Sequence, residues 1–185
     1  MRFLFALFLV TYSLSGTAQG YVRAEQRMDE GVFLHYEDYL NKQPEKIKLI
    51  KKGSDIFFWN ESLKTEVRLD PRKVWGYSIN GNVYISYEDG FWKLINEGRL
   101  NHFSAIVIRY YQSYDSFGFM VNRPTQILTH LFFDSSDGKI LNLDKENFKG
   151  YFEEEPKLEK YYRKLKGNKT EKLILVLKAY NERHP

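Results

Sequence analysis

The sequence predicts an α+β domain in which an antiparallel β-meander comes first and helices follow it. Two observations carry this prediction. Apolar and polar side chains alternate along much of residues 47–143, which is the period of half-buried strands. From about residue 146 to 183 the apolar residues recur at i, i+3, i+4 and i+7, the period of a helix packed on one face. Whether the sheet is strongly curved or closed on itself is left open by these patterns.

The stretch from Val74 to Tyr111 is the centre of the predicted fold. Apolar residues alternate on both sides of Asn80-Gly81. This dipeptide is the strongest two-residue hairpin signal, because both residues tolerate the positive φ of a type I′ turn. Further turns are predicted at Glu88–Gly90 and Asn96–Gly98. The four strands between these turns would form an antiparallel meander.

Shorter elements are predicted on both sides of the meander. An apolar segment, Gly31–Leu34, leads into a helical turn at residues 36–40, where His35 stands in place of a preferred cap residue. Preceding strands are predicted at residues 47–51, 55–59 and 66–69. After a polar loop at Ser113–Gly118, a strand starts at Phe119–Val121 and is interrupted at Pro124. A hairpin of residues 127–133 and 139–143 follows.

The C-terminal part is predicted to be helical. Pro156 suits a first helical turn, the acidic run Glu153–Glu155 favours the positive end of the helix dipole, and Gly167 suits the exit. A last helix would be capped by Thr170. Residues Leu173–Leu177 alone also fit a buried strand, but the longer periodicity favours a helix.

The N-terminus has the three regions of a secretory signal peptide. Met1-Arg2 is a basic start, residues 3–10 are apolar, and a small polar segment ends at Ala18-Gln19-Gly20. The apolar run is shorter than the roughly 20 residues that a membrane-spanning helix needs. We therefore expect a signal peptide at 1–20, a single domain at 21–185 without a further membrane span, and a periplasmic or secreted location.

Composition excludes several classes of site. The chain has no cysteine, which excludes disulfides, thiolate metal sites and a cysteine nucleophile. Its net charge is +4, with 28 basic and 24 acidic residues that are well mixed along the chain. Nucleic-acid binding needs basic residues clustered on one face, so no nucleic-acid partner is expected. Aromatic residues make up 17% of the chain, so the core is expected to contain many large rings.

Motifs that indicate catalysis are absent from the sequence. Histidines stand at four isolated positions: His35, His102, His130 and His184. None forms the i, i+3 or i+4 pair of a helical metal site. Glycine patterns for nucleotide phosphates and the Gly-x-Ser-x-Gly elbow are also missing. We therefore predict no catalytic residue, no metal site and no cofactor.

Paired carboxylates are the remaining enzymatic alternative, because a glycosidase needs two acids across a groove. Glu88, Asp89 and Glu97 lie near predicted turns, where acidic residues also occur because they favour turns. The acidic loop Asp134–Gly138 has Lys139 where a calcium loop has its glycine. We therefore predict an ordinary turn there.

The aromatic side chains of the meander are the best candidates for a binding site. They are Trp75, Tyr77, Tyr84, Tyr87, Phe91, Trp92, Tyr110 and Tyr111. Most would be core, but a row on one face would stack on sugars or line an apolar groove. Because strand residues alternate, Trp75 and Tyr77 are expected to share a face. The predicted ligand-binding residues are Trp75, Tyr77, Tyr84 and Trp92.

Four groups of short motifs carry a resemblance to other proteins. They are Gly31–Leu34 with Tyr36–Leu40 and Pro44, Val74–Tyr77 with Asn80–Ile85, Phe91–Leu94 with Gly98 and Phe103, and Tyr180-Asn181. Together they resemble a group of uncharacterised exported proteins of the Bacteroidetes, over about residues 31–181. The chain departs from that group at His35, where a hydroxyl residue is more frequent. The resemblance implies an extracytoplasmic bacterial protein and brings no catalytic residues.

These observations predict a non-enzymatic domain that binds something in the cell envelope or outside it. The partner would be an envelope or extracellular ligand such as a glycan or a protein. Two alternatives stay open, namely a carboxylate-based hydrolase acting on glycans and a structural subunit of an envelope assembly.

Overall fold

The computed structural model describes residues 28–184 and confirms the α+β class. The strands are β1 Gly31–Phe33, β2 Leu49–Lys52, β3 Asp55–Asn60, β4 Thr65–Arg68, β5 Gly76–Ile79, β6 Asn82–Tyr87, β7 Gly90–Asn96, β8 Leu100–Tyr114, β9 Met120–Asp134 and β10 Leu141–Asn142. The helices are α1 Tyr36–Leu40, α2 Lys149–Glu154, α3 Pro156–Lys164 and α4 Lys169–Arg183, with a 3₁₀ turn at Pro71–Lys73. Strands therefore precede the main helices, as predicted.

The larger sheet has seven antiparallel strands in the order β1-β5-β6-β7-β8-β9-β10. Its middle, β5 to β8, is the predicted meander. At the first turn Asn80 and Gly81 have φ of 53° and 71°, the positive values of a type I′ hairpin. Strands β1 and β10 end the order without pairing with each other, so the sheet is open.

Strand β1 is an addition to the predicted strands. Its Val32 stands opposite Tyr77 of β5, and the amide of Val32 donates to the carbonyl oxygen of Glu45 at 3.0 Å. The apolar segment is too short for its alternation to be read from the sequence, and its pairing depends on a strand more than forty residues away.

Strands β2, β3 and β4 form a separate three-stranded sheet. Their bounds agree with the predicted strands to within two residues. Ile56 and Leu69 are buried with Tyr77 of β5, and Tyr84 and Phe91 lie at the margin of the same cluster. The small sheet thus packs against β5, β6 and β7.

The three C-terminal helices confirm the change of period after residue 143. Helix α3 begins with Pro156, as predicted. The cap of α4 differs from prediction, because Asn168 and not Thr170 accepts from the amide of Glu171, at 2.9 Å. The side chain of Glu171 in turn accepts from the amide of Asn168, so the two residues complete a reciprocal capping box.

Two buried clusters lie on opposite faces of the β8–β9 ladder. On one face, Leu100 and Phe132 pack with the helices; the helical members include Phe148, Leu158, Leu173, Val176, Leu177 and Tyr180. On the other face, Phe103 and Phe133 pack with residues of β1, α1, β6 and β7. The inner half of this ladder is therefore covered on both sides.

Strands β8 and β9 form a hairpin of fifteen residues on each side. The predicted interruption at Pro124 is wrong, because β9 runs through it and Pro124 stands opposite Tyr110. The amide of Asp115 donates to the carbonyl of Phe119, and alternation of the ladder from this pair places Pro124 at a non-hydrogen-bonded position. A proline costs no ladder bond there.

Candidate functional site

The four predicted ligand-binding residues lie in or beside the packed core. Tyr77 is 2% exposed, and its ring stacks on Tyr84 with centroids 4.7 Å apart. Trp75 stacks on Tyr39 at 4.5 Å. The indole nitrogen of Trp92 donates to the carbonyl of Tyr87 at 3.1 Å. Their role in ligand binding stays a prediction, because three of the four are half-buried rather than fully enclosed.

The prediction that Trp75 and Tyr77 share a face is wrong. Trp75 packs with Phe33 and Phe133, whereas Tyr77 packs with Ile56 of the small sheet. Strand β5 begins only at Gly76, so the strict alternation of a strand does not extend to Trp75. The predicted residues are therefore divided between two clusters.

The outer half of the β8–β9 hairpin is the most exposed apolar feature of the described chain. We call residues 106–128 the hairpin arm. Apart from Val107, which is buried at its base, the arm has only exposed and half-buried residues. Its exposed large apolar side chains are Ile106, Ile108, Tyr110, Tyr111, Tyr114, Phe117, Phe119, Met120 and Leu128. Two of the rings named from the sequence, Tyr110 and Tyr111, thus lie outside the core.

One face of the arm has no charged side chain. The register pairs residues whose numbers sum to 234, so even-numbered residues of both strands share a face. From β8 this face has Ile106, Ile108, Tyr110, Gln112 and Tyr114, and from β9 it has Met120, Asn122, Pro124, Gln126 and Leu128. We call it the uncharged face. Both cations of the arm, Arg109 and Arg123, lie on the opposite face.

The uncharged face continues the surface that the helices cover further in. On the same face, Leu100 and Phe132 are fully buried against α2, α3 and α4. Beyond Ser104 no residue of this face belongs to the cluster packed with the helices, and Ile106 and Leu128 are 47% and 62% exposed. Among residues 28–184, nothing replaces the helices as a cover for the outer face.

The apex of the arm is a tight turn held by Asp115. One carboxylate oxygen of Asp115 accepts from the amides of Phe117 and Phe119, each at 2.9 Å. The amide of Gly118 donates to the carbonyl of Asp115. The rings of Phe117 and Phe119 are 83% and 70% exposed. The turn therefore presents two aromatic rings on a hydrogen-bonded backbone.

This site was not predicted from the sequence, because its residues are typical of a polar loop and an interrupted strand. A usable signal is nonetheless present. Residues 106–128 contain three charged side chains, Arg109, Asp115 and Arg123, whereas charged residues make up 28% of the whole chain. A long segment that is both poor in charge and rich in aromatic residues is untypical of a solvated loop.

Two histidines that are isolated in the sequence meet across the β8–β9 ladder. Nε2 of His102 lies 3.3 Å from Nδ1 of His130, and Ser104 Oγ lies 2.9 Å from the same nitrogen. The amide nitrogen of Asn96 lies 3.0 Å from Nδ1 of His102. These contacts join Asn96, His102, His130 and Ser104 into one side-chain network.

In this network, polar side chains on the helix-covered face of the sheet provide hydrogen-bond partners for one another. His102 is 2% exposed, and burial, with smaller contributions from His130 and Lys178, lowers its pKa to about 4. His102 is therefore neutral at physiological pH. His130 reaches a cleft of about 650 Å³ beside the first residues of α4. Within residues 28–184, no group of three or more histidine or acidic side chains is placed to hold a metal ion.

The acidic residues named from the sequence lie at separate turns. Glu88 is in the β6–β7 turn and pairs with Arg109 at 3.2 Å. Asp89 is its neighbour, and Glu97 lies in the next turn. The loop Asp134–Gly138 is a turn, as predicted: the amide of Gly138 donates to the carbonyl of Asp134.

A different acidic pair is bridged by Arg99. This guanidinium contacts Asp134 at 3.6 Å and Glu154 at 3.3 Å. Tyr151 donates to Asp134 and Tyr180 donates to Glu154. Burial and these carboxylates raise the pKa of Tyr180 to about 12. The cluster joins the end of β9 to α2 and α4, which is a structural role.

Comparison with known proteins adds no family to this geometry. The predicted signal peptide at residues 1–20 lies outside the described residues. In the described part, every helix falls short of the length and apolarity needed to cross a membrane. No protein-family model, curated protein sequence or solved structure matches the chain.

Proposed function

We propose that this protein is an exported, non-enzymatic domain that binds a component of the cell envelope through the hairpin arm. The observation that supports it is the uncharged face, which continues a covered surface into solvent without a cover. Contiguous exposed apolar patches of this kind mark interaction sites in soluble proteins. The signal-peptide pattern of residues 1–20 supplies the expected location.

The arm is not explained by folding of the domain. Its residues from 108 to 126 belong to none of the buried clusters of the described chain. A free two-stranded ribbon is only marginally stable in water, and exposed apolar edges favour aggregation. Residues 108–126 have these liabilities and no part in the core, and they are best accounted for by a partner outside the fold.

The hydrolase alternative has less support. It requires two acids across a groove, one of them protonated. Glu88 is instead held by Arg109, and Asp134 and Glu154 share Arg99. These carboxylates are engaged in ion pairs and are not paired with each other across a groove.

The proposal is tested by removing the outer part of the arm and measuring in which cell fraction the protein is found. Arg109 and Thr125 stand opposite each other at a hydrogen-bonded position of the ladder. Replacing residues 110–124 by Asn-Gly would close the hairpin there with a two-residue turn. We call this variant the short-arm protein.

In cells producing the full chain, we expect the original protein in the envelope fraction and the short-arm protein in the released soluble fraction. Leu63→Ser is the matched control, because Leu63 is 65% exposed and lies in the β3–β4 turn away from the arm. Mass analysis of the product reports whether residues 1–20 have been removed. Equal fractionation of the original and short-arm proteins would contradict the proposal.

A further inference from the structure

We infer that the arm binds end-on to a lipid bilayer with anionic headgroups, inserting Phe117 and Phe119 into its interface. This inference rests on the proposed function, since it names the envelope component that the arm engages. It starts from where exposure is greatest. Phe117 is 83% exposed and stands at the apex, whereas Ile106 at the base of the arm is 47% exposed.

Apart from Asp115, whose carboxylate is hydrogen-bonded by the amides of Phe117 and Phe119, the order of side chains along the arm follows the polarity gradient of a membrane surface. Two phenylalanines stand at the apex, and Tyr114 and Met120 form the next pair. Arg123 follows three residues behind Met120, a distance of about 10 Å along a strand. Interfacial elements bury their apolar groups about 5–10 Å deep. Apex rings at that depth would place Arg123 at the level of the lipid phosphates.

Tyrosines further support an interfacial position. Tyr110, Tyr111 and Tyr114 are 70%, 52% and 69% exposed. A tyrosine ring with its apolar body and polar hydroxyl is favoured at the headgroup level. All three stand between the phenylalanine apex and the covered base of the hairpin. They form the zone between acyl chains and water that an end-on orientation requires.

The backbone of the apex suits an environment with little water. The amides of Asp115, Phe117, Gly118 and Phe119 are all hydrogen-bonded within the turn. An unpaired amide would cost several kcal/mol in hydrocarbon, so this turn enters an apolar medium more readily than an open loop. The Asp115 carboxylate faces these amides and is only partly exposed.

Charge complementarity indicates anionic lipids. Arg123 has no ion-pair partner among residues 28–184, whereas Arg109 on the same face pairs with Glu88. Each basic residue near a negative leaflet contributes about 1 kcal/mol of attraction. Arg123 is therefore the cation of the arm that remains available to a lipid phosphate.

A second copy of the chain fits the arm less well. Pairing of two uncharged faces would bury Ile108, Tyr110 and Pro124, but it would leave the apex rings outside the contact. Edge pairing through β9 is blocked near Pro124, which has no amide hydrogen to donate. Self-association therefore does not explain the exposure of Phe117 and Phe119, whereas end-on membrane binding would bury both rings.

The experiment takes advantage of the absence of cysteine. Ser116→Cys places one thiol at the apex, and Ser62→Cys places one in the β3–β4 turn; both serines are exposed. Each is labelled with a polarity-sensitive fluorophore and mixed with vesicles of phosphatidylethanolamine and phosphatidylglycerol. We expect a blue shift of the dye at position 116 and none at position 62. Pure phosphatidylcholine vesicles report the contribution of headgroup charge.

Binding strength is measured by co-sedimentation of the unlabelled protein with the same vesicles. Phe117→Ser combined with Phe119→Ser should weaken binding about tenfold or more, because two aromatic rings no longer leave water. Arg123→Gln should weaken binding about fivefold on anionic vesicles and leave phosphatidylcholine binding unchanged. Leu63→Ser should bind like the original protein, and all variants should keep its melting temperature.

Three results would overturn the inference: no vesicle binding by the original protein, equal binding by the double variant, or equal shifts at positions 116 and 62. Sedimentation equilibrium distinguishes the rival, since arm-dependent dimers without vesicle binding would point to a second copy. If the protein is found in the envelope fraction only when it has the arm, but does not bind vesicles, the proposed function is supported and the inference that the ligand is lipid is contradicted. If the original and short-arm proteins fractionate equally, both the proposed function and the lipid inference are contradicted.

Discussion

The inner and outer halves of the β8–β9 hairpin have the same local structure and opposite surroundings. Ala105 and Leu131 in the inner half are at most 1% exposed, whereas Ile108 and Met120 in the outer half are 50% and 58% exposed. The ladder runs through both halves without a change in register. Strand pairing therefore continues beyond the buried part of the hairpin, and what differs between the halves is the presence of covering layers.

The difference shows that alternation of apolar residues indicates which side of a strand is apolar, but not which element packs against that side. Inside, the even-numbered face meets the helices and the odd-numbered face meets β1, α1 and the meander. Outside, the same alternation supplies an apolar face without an intramolecular partner. The hydrophobic effect stabilises the inner half through folding, and it stabilises the outer half only when something binds.

The largest expected effect comes from truncating one aromatic ring in each half. Phe133→Ala should lower the free energy of unfolding by about 3–5 kcal/mol, because the ring is fully buried against Tyr36, Tyr39 and Trp75. Phe119→Ala should change it by less than about 0.5 kcal/mol. Urea unfolding followed by circular dichroism measures both. Similar losses for the two variants would show that the outer half is packed.

A slightly smaller effect is expected from acid, through the covered histidine network. The unfolded state binds a proton at His102 near its ordinary pKa of 6.5, whereas the folded state does so only near 4. Stability is therefore full above about pH 6.5 and falls by about 3 kcal/mol as the pH drops toward 4. His130, Ser104, Asn96 and Lys178 surround this imidazole.

The pH effect is checked by urea unfolding at a series of pH values between 7.5 and 4, for the original protein and for His102→Gln. The variant removes the titrating group, so its unfolding free energy should fall less steeply over this interval. The comparison of slopes is independent of any constant cost of the substitution. Parallel curves for the two proteins would assign the acid sensitivity to other groups.

A third prediction concerns how α4 is fastened over the inner half. Asn181 accepts from the amide of Leu100 at 2.8 Å and donates to its carbonyl at 2.7 Å. Asn181→Ala leaves both backbone groups without these partners, and we expect a loss of about 2 kcal/mol. Asn122→Ala, on the exposed arm, is the matched control and should be neutral within about 0.5 kcal/mol. Thermal unfolding that lowers both midpoints equally would contradict this contrast.

Sequence patterns predicted those parts of the fold that depend on neighbours along the chain. The Asn80-Gly81 turn and the helix starting at Pro156 are such local features, and both are confirmed. Pro124 was misjudged because proline excludes only the hydrogen-bonded positions of a ladder, and position within the ladder follows from the register. Register in turn depends on the turn at Asp115–Phe119.

The histidine network and the uncharged face were not predicted for the same reason, because both depend on the register between β8 and β9. His102 and His130 are 28 residues apart, and they meet only because Ser104 stands opposite His130. The uncharged face likewise becomes visible only when the even-numbered residues of both strands are placed together. Whether that face is covered depends on how far the helices pack along the sheet. Tertiary packing determines this, and a local sequence pattern does not show it.

The smallest effect is expected from the short-arm protein. Residues 110–124 are almost all exposed in the folded state, so their removal takes away little buried area, and the unfolding free energy should change by less than about 1 kcal/mol. The dependence of that free energy on urea concentration should also stay nearly constant, because it scales with the surface newly exposed on unfolding. Urea titrations of both proteins give the two quantities together. A loss of several kcal/mol with a reduced urea dependence would mean that the arm is folded against the domain, and the contrast between the halves would then disappear.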